Sequence, residues 1–281
     1  MKKALLLVAM ALIATGAIFA NAQGETAEES GFSGDLAMGG STTVAPIIDV
    51  ALEAFEKDQP NVKATYASVG SSNGIADTAK GVYRIGGSSK AEQKNIDGGV
   101  YPTKICYDGI ACVVSANVPV DDLSSDQITA IYSGEITNWK EVGGNDAEIV
   151  VLSRDEASGT YDTWKTFTVK AAGVSFREGM ITVVSNGDLA SKLATTPNAI
   201  GYIGAGFLSE IGDAKAVTVD GVEAKESTIK SFDYPYARYL YLVTPSEPEE
   251  GSLEEYFINW LVTSREGKKA IADVGYYPLD M

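Results

Sequence analysis

Apolar residues recur along this chain with two spacings, and the two spacings alternate. Between 44 and 55 they follow steps of three and four residues, which predicts a helix, and from 62 to 66 every second residue is apolar, which predicts a strand. Further strands are predicted at 83–85, 110–114, 149–152, 199–203 and 239–243, and further helices at 71–80, 124–132, 161–169, 188–194 and 253–262. The alternation predicts layered α/β architecture.

Four turns in this pattern place glycine beside small hydroxyl residues. They are Gly40-Ser41-Thr42-Thr43, Gly70-Ser71-Ser72, Gly87-Ser88-Ser89 and Ser158-Gly159-Thr160. A helix N-terminus exposes unpaired N–H groups and a partial positive charge, so several such turns meeting at one point would hold an oxyanion. One turn alone carries little weight, because serine or threonine before a helix is most often an N-cap.

Arg154 lies at the end of a predicted strand, four residues before Ser158. A guanidinium binds an oxyanion through two parallel hydrogen bonds, so Arg154 is the natural cation of such a site. Glu156 is expected to brace the guanidinium. Without the adjacent Ser-Gly-Thr turn, a surface ion pair would be the preferred interpretation of Arg154.

The first 22 residues have the pattern of a cleavable signal peptide. Lys2 and Lys3 precede an apolar run over 4–20, and Ala20-Asn21-Ala22 matches a cleavage site. An uncleaved anchor is the alternative, because the run is long for a signal peptide. We therefore expect a periplasmic or otherwise extracytoplasmic protein, with residues 23–33 as a flexible lead-in.

The chain that follows is acidic. Without Lys2 and Lys3 it carries 20 basic and 38 acidic residues, a formal net charge of −18. That balance argues against nucleic acid or an anionic membrane as a partner, and it means that local dipoles and a few placed cations must capture any anion.

Histidine is absent from the sequence, so no metal site and no cofactor are expected. Cys106 and Cys112 are too far apart to bond in a straight strand, whereas a bend at Asp108-Gly109 would bring them together. Buried free thiols are the favoured interpretation, and a disulfide is the alternative.

Seven segments, taken in order, resemble one known family. They are GGSTTVAP at 39–46, GSSNG at 70–74, IGGSS at 85–89, YDGIA at 107–111, ITNWKEVGG at 136–144, SRDEASGTYDTW at 153–164 and AIGYIG at 199–204. Together they resemble the periplasmic phosphate-binding proteins of the ATP-driven phosphate importer, over about residues 39–279. The resemblance implies a two-lobed periplasmic-binding-protein type II fold, with a mixed sheet and flanking helices in each lobe and two hinge crossings. It also implies a monomer that captures inorganic phosphate between the lobes and delivers it to the transmembrane subunits of an ABC permease.

The resemblance also implies a set of binding residues. The predicted phosphate ligands are Ser41, Thr42, Thr43, Ser71, Ser72, Ser89, Asp108, Arg154, Ser158, Gly159 and Thr160, with Glu156 bracing the arginine. Lobe one is expected to comprise residues 34–112 and 238–281, and lobe two residues 113–237. The second crossing is placed near Tyr234-Pro235-Tyr236.

One position departs from the family pattern. Where family members place an aspartate that accepts a proton from phosphate, this chain has Ser89 followed by Lys90. A carboxylate there accepts from hydrogen phosphate and repels sulfate, which carries no proton at neutral pH. Asp108 is the candidate substitute acceptor, and a turn-forming aspartate before glycine is its alternative interpretation. Ser89 itself accepts one bond but repels nothing.

The sequence is also compatible with other functions. The same fold would serve a receptor for sulfate, arsenate, molybdate or tungstate, or a phosphate sensor or adhesin without transport. A phosphatase or serine hydrolase is the enzyme alternative. It is disfavoured because a serine nucleophile needs a base within hydrogen-bond reach, and no histidine, G-x-S-x-G turn or clustered metal-ligand set is present.

Overall fold

The structure is a computed structural model that describes residues 31–90 and 99–280. The predicted signal peptide and most of the predicted lead-in lie outside these residues. The end of the lead-in does not match the expected flexible segment, because a strand begins at Ser33. The Phe32 N–H donates to Gln59 Oε1 at 2.8 Å, and the Phe32 ring lies 5.0 Å from that of Tyr256. No helix in the described ranges is long and apolar enough to cross a membrane.

Strands and helices alternate through most of the described chain. The strands are β1 (Ser33–Gly40), β2 (Asn61–Ser68), β3 (Ile85–Ser88), β4 (Tyr101–Val114), β5 (Asp122–Leu123), β6 (Val150–Arg154), β7 (Ile181–Val183), β8 (Ala199–Gly204), β9 (Lys215–Ala216), β10 (Thr218–Val219), β11 (Ala237–Thr244) and β12 (Tyr277–Pro278). The helices are α1 (Ala45–Asp58), α2 (Ser71–Ala79), α3 (Ser125–Ser133), α4 (Gly159–Lys165), α5 (Asn186–Thr195), α6 (Glu226–Lys230), α7 (Leu253–Thr263) and α8 (Arg265–Asp273). Short 3-10 turns cover Trp139–Val142 and Ala205–Glu210, and a π-helical turn extends α4 over Thr166–Lys170.

A mixed sheet runs through the described residues in the order β2-β1-β3-β11-β4-β8-β6-β7, with β9 and β12 also paired to β4. At one end β1 is parallel to β2 and β3, and at the other β6 is parallel to β7 and β8. Parallel neighbours need crossover connections, which α1 supplies between β1 and β2 and α4 between β6 and β7. In the middle, β4 is antiparallel to both β11 and β8, so the long strand β4 joins the two parallel ends.

Two large hydrophobic cores lie along this sheet. The first is formed by β1, α1, β2, α7 and α8, and the second by α3, α4, β8 and their neighbours. Strand β4 contributes Cys106 to the first core and Ile110 to the second, and β11 contributes Leu240 to the first and Ala237 to the second. These two strands therefore pass from one core to the other at the same level of the sheet.

Serine side chains start many of the helices. The hydroxyls of Ser124, Ser158, Ser185, Ser252 and Ser264 each accept a hydrogen bond from the backbone N–H three residues later. At Ser124 the Gln127 side chain completes a capping box. Capping is thus the ordinary use of serine in this fold, and Ser158 is one of these caps.

The predicted α/β alternation is confirmed, although strand β1 was not predicted and several boundaries differ. Strand β3 begins at Ile85, where a strand over 83–85 was predicted, because the Gly-Gly-Ser turn itself pairs with β1 and β11. Helix α8 was missed because it follows α7 after the single residue Ser264, which serves as the N-cap of α8. Cys106 and Cys112 are buried free thiols on a continuous strand, as favoured.

Gly74 is the residue through which α2 packs against the end of β1. A Cβ there would meet Gly40 Cα and lie 2.8 Å from Gly39 O. Alanine in a helix interior is usually more stable than glycine, but here we expect Gly74→Ala to lower the free energy of unfolding by about 1–3 kcal/mol through overpacking.

Gly187 in α5 is the matched control, because a Cβ there meets nothing closer than Ser185 Oγ at 3.9 Å. Gly187→Ala should leave stability unchanged or raise it by up to about 1 kcal/mol. Urea unfolding of both variants measures the difference. Equal stability of the two would contradict the close contact between α2 and β1.

Candidate functional site

The residues singled out in the sequence lie at the ends of neighbouring elements. Ser41, Thr42 and Thr43 follow β1, Ser71 and Ser72 begin α2, Ser89 follows β3, Arg154 ends β6, and Ser158, Gly159 and Thr160 lead into α4. Thr42 and Ser72 are half-buried, and the others are buried. The carboxyl ends of β1, β3 and β6 and the N-termini of α2 and α4 therefore carry the set.

Hydroxyl groups from different turns are in contact. Thr43 Oγ1 lies 3.0 Å from Thr160 Oγ1, and Ser71 Oγ lies 3.2 Å from Ser89 Oγ. Gly159 faces both serines, because a Cβ there would lie 2.7 Å from Ser89 Oγ and closer still to Ser71 Oγ. Only glycine allows this close approach of the last turn to the two serines. Together, these contacts show that the structure brings all four predicted turns to one place.

Arg154 reaches into this cluster from β6. Its NH2 group donates to Thr42 Oγ1 and to the Val184 carbonyl, both at 2.9 Å, and its NH1 group donates to Asn186 Oδ1 at 3.1 Å. The Nε atom is buried and has no hydrogen-bond partner in the described part of the chain. Burial lowers the pKa of Arg154 from its ordinary value, yet a guanidinium stays charged in proteins. The site thus holds a buried cation with a donor to spare.

Asn186, not Glu156, braces this arginine. Glu156 is exposed, and none of the hydrogen bonds that Arg154 makes to described residues goes to it. Asn186, the first residue of α5, is fully buried, and its Nδ2 also donates to Thr43 Oγ1 at 3.0 Å. A neutral amide orients the guanidinium without cancelling its charge, which a carboxylate would do. The predicted brace was adjacent in sequence, whereas the observed one lies 32 residues further along the chain.

Three of the predicted serines shape the turns. Ser41 Oγ accepts from the N–H groups of Thr43 at 3.1 Å and Val44 at 3.3 Å. Ser158 caps α4, and the Ser72 N–H donates to the Ala157 carbonyl at 3.1 Å. These bonds fix the paths of the first, second and last turns.

Arg238 is a functional candidate that the sequence reasoning missed. The register of β4 and β11 places it directly opposite Asp108, and both side chains are completely buried. Arg238 Nε and NH2 lie 2.8 and 2.7 Å from Asp108 Oδ2. NH1 donates to the Ser89 carbonyl at 2.6 Å, and NH2 donates to Thr160 Oγ1 at 3.1 Å. An arginine in the otherwise apolar and aromatic run ARYLYLV, residues 237–243, was the available signal.

Asp108 was predicted to be a proton acceptor for the ligand. In the structure its Oδ2 accepts from Arg238, and its Oδ1 accepts from the Ala205 N–H at 3.1 Å. Burial raises the pKa of the Asp108 carboxyl, and Arg238 and the backbone N–H groups oppose that shift. Its contacts are those of a counter-ion.

The arrangement suits a small oxyanion. It combines two buried guanidiniums with one buried carboxylate, so local charge is positive in a strongly acidic protein. A threonine hydroxyl contacts each guanidinium, and the serine and threonine hydroxyls of the turns add further donors. Residues 31–90 and 99–280 contain no cluster of three side chains suited to hold a metal ion.

Comparison with known proteins identifies the family of this chain. The sequence model described as a PBP superfamily domain matches residues 22–266. The phosphate-binding protein PstS of Borreliella burgdorferi is 32% identical over 249 residues, which are 86% of this chain and 88% of that protein. PstS of Bacillus subtilis is 30% identical over 250 residues, 88% of this chain and 81% of its own.

Solved structures give the same answer. A putative phosphate ABC transporter substrate-binding protein from Clostridium perfringens, determined with bound phosphate, is 34% identical and superimposes with a TM-score of 0.78 over 88% of this chain and all of its own. An ABC-type phosphate transport receptor from Vibrio cholerae is 27% identical, with a TM-score of 0.71 over 87% of this chain and all of its own. The fold is therefore that of a two-lobed periplasmic binding protein. Within that class, the chain belongs to the PstS family of phosphate ABC transporter substrate-binding proteins.

Substitutions at Asn186 and at Glu156 should change the stability of the protein by different amounts. Asn186→Ala leaves the buried NH1 group of Arg154 and the Thr43 hydroxyl short of a partner, so we expect the free energy of unfolding to fall by about 1–3 kcal/mol. Glu156→Gln alters an exposed side chain and should change it by less than about 0.5 kcal/mol. Urea unfolding without ligand measures both. The reverse order of the two variants would restore Glu156 as the brace.

Proposed function

We propose that this protein binds inorganic phosphate among the converged turns and delivers it to an ABC permease. The observation that carries the proposal is the meeting of Arg154 with the hydroxyls of Thr42, Thr43 and Thr160, which come from separate elements. Membership of the PstS family and similarity to a structure determined with bound phosphate support it. Among the described residues of the site, no contact favours a second function.

The ligand-contacting groups follow from this proposal. Arg154 supplies the charge. The neutral donors are the hydroxyls of Thr42, Thr43, Ser71 and Thr160 and the first backbone N–H groups of α2 and α4. Ser41, Ser72, Ser158 and Gly159 place these donors. Because Thr43, Ser71, Arg154 and Thr160 are buried, phosphate from solvent reaches them only when the sides of the site separate.

We also propose that the two hydrophobic cores are the two lobes. Cys106 and Leu240 belong to the first core, and Ile110 and Ala237 to the second, which supports crossings beside Asp108 and Arg238. The expected lobe boundary between 237 and 238 is kept, just after the predicted crossing near Tyr234-Pro235-Tyr236. The first boundary moves from after Cys112 to about Asp108. Phosphate would favour the closed state because both lobes contact it only when closed.

Location and partners belong to the same proposal. The protein is taken to act outside the cytoplasm after removal of a signal peptide at residues 1–22, as a monomer, with permease subunits as its partner. Its relatives are named as binding proteins and transport receptors, which supports a role in transport rather than catalysis.

Phosphate titration of the purified, ligand-stripped protein tests the function. We expect one-to-one binding by calorimetry, and Arg154→Lys should weaken it by about tenfold or more, since a lysine cannot reproduce the planar fork of donors. Arg265→Lys is the matched control, because Arg265 is exposed at the start of α8. Failure of the folded wild type to bind phosphate, or equal affinity in both variants, would overturn the proposal.

A further inference from the structure

Each hydroxyl near the ligand can be classified by which N–H group already donates to it. Thr42 Oγ1 accepts from Arg154 at 2.9 Å, Thr43 Oγ1 from Asn186 at 3.0 Å, and Thr160 Oγ1 from Arg238 at 3.1 Å. A hydroxyl has one proton to donate and two lone pairs, and a fixed N–H donor turns the proton away from itself. Thr42 is therefore oriented to donate to a ligand. The Thr43 and Thr160 hydroxyls are turned away from their N–H donors in the same way, but their oxygens lie 3.0 Å apart, so one of them donates to the other until a ligand accepts that hydrogen bond instead.

The serines of the site differ in whether a backbone N–H group donates to the hydroxyl oxygen. Ser71 Oγ accepts from the Ser89 N–H at 3.1 Å, and Ser158 Oγ accepts from the Tyr161 N–H at 3.2 Å. Ser89 Oγ receives no N–H bond from any described residue, and its contact is Ser71 Oγ at 3.2 Å. When Ser89 donates its proton to Ser71, both lone pairs of Ser89 are free, and the Ser71 proton points elsewhere. Ser89 is then the hydroxyl of this group best suited to accept.

Asp108 is poorly suited to the same task. Both of its oxygens accept from protein groups, and the Arg238 guanidinium lies between its carboxylate and the Thr160 hydroxyl. Freeing Asp108 for a ligand would leave a buried arginine without its counter-ion, which is strongly unfavourable. The Asp108–Arg238 pair instead orients Thr160 and, through the Ser89 carbonyl, holds the turn after β3.

We propose that Ser89 Oγ accepts a hydrogen bond from the protonated oxygen of hydrogen phosphate, and that Asp108 and Arg238 are positioning residues that do not contact the phosphate. The inference rests on the proposed function, since it assigns a role within that phosphate site. A neutral acceptor favours phosphate over sulfate by one hydrogen bond and adds no repulsion against the fully ionised sulfate. Discrimination in this protein is therefore modest and is set at Ser89.

Ser89→Ala gives the direct test. We expect the phosphate affinity to fall about three- to tenfold, the worth of one hydrogen bond, while sulfate affinity falls by a smaller factor. Ser89→Asp introduces a carboxylate and should raise the ratio of phosphate to sulfate affinity at least tenfold. Ser246→Ala, on the exposed loop after β11, is the matched control and should leave both affinities unchanged. Calorimetry with phosphate, and displacement of phosphate by sulfate, measure the ratio at pH 7.

Asp108→Asn separates the two roles. If Asp108 is a positioning residue, the substitution should change the affinities for phosphate and for sulfate by the same factor. Thermal unfolding of the variant without ligand should begin at a lower temperature than that of the wild type. The inference is overturned if Asp108→Asn shifts the affinity ratio tenfold, or if Ser89→Ala leaves that ratio unchanged. If Asp108→Asn does not fold, the ratio of phosphate to sulfate affinity in the Ser89 variants still tests the role of Ser89. A wild type that binds neither anion would instead contradict the proposed function itself.

Discussion

The buried ion pair between Asp108 and Arg238 is the interaction on which the site depends. It forms because the antiparallel register sets the two residues opposite each other on β4 and β11, the strands that pass between the cores. A buried ion pair contributes little net stability, but loss of one partner is costly, so the pair fixes one arrangement of its surroundings. Here it fixes the Ser89 carbonyl from one side and the Thr160 hydroxyl from the other.

The protein groups that hold the Arg154 guanidinium are uncharged. Arg154 is held by an amide, a hydroxyl and a carbonyl, so its full charge remains available to an anion. Arg238 is neutralised by Asp108 and acts through Thr160. In the proposed function, one guanidinium binds the anion and the other has a structural role, which reconciles a small anion site with a strongly acidic chain.

The sequence predicted the fold class and the turns well, for identifiable reasons. Hydrophobic spacing reports which face of an element is buried, and Gly-Ser-Thr turns mark strand ends next to helix N-termini, so Thr42, Thr43, Ser71 and Ser158 could be found directly. Local sequence patterns do not predict contacts between segments that are far apart along the chain. Asn186 and Arg238 reach the site from α5 and β11, and their roles follow from register and packing. Glu156 illustrates the converse error, because sequence proximity suggested a contact that helix and strand geometry does not make.

Crystal structures with and without phosphate would show whether one anion is held between groups from both cores. We expect phosphate bound by Arg154, Thr42, Thr43 and Thr160, with one phosphate oxygen within hydrogen-bond distance of Ser89 Oγ and Arg238 still paired with Asp108. Without phosphate, we expect the two cores to separate as rigid bodies about the strands at Asp108 and Arg238. Phosphate bound elsewhere, phosphate in contact with Asp108, or identical core positions in both structures would contradict this expectation.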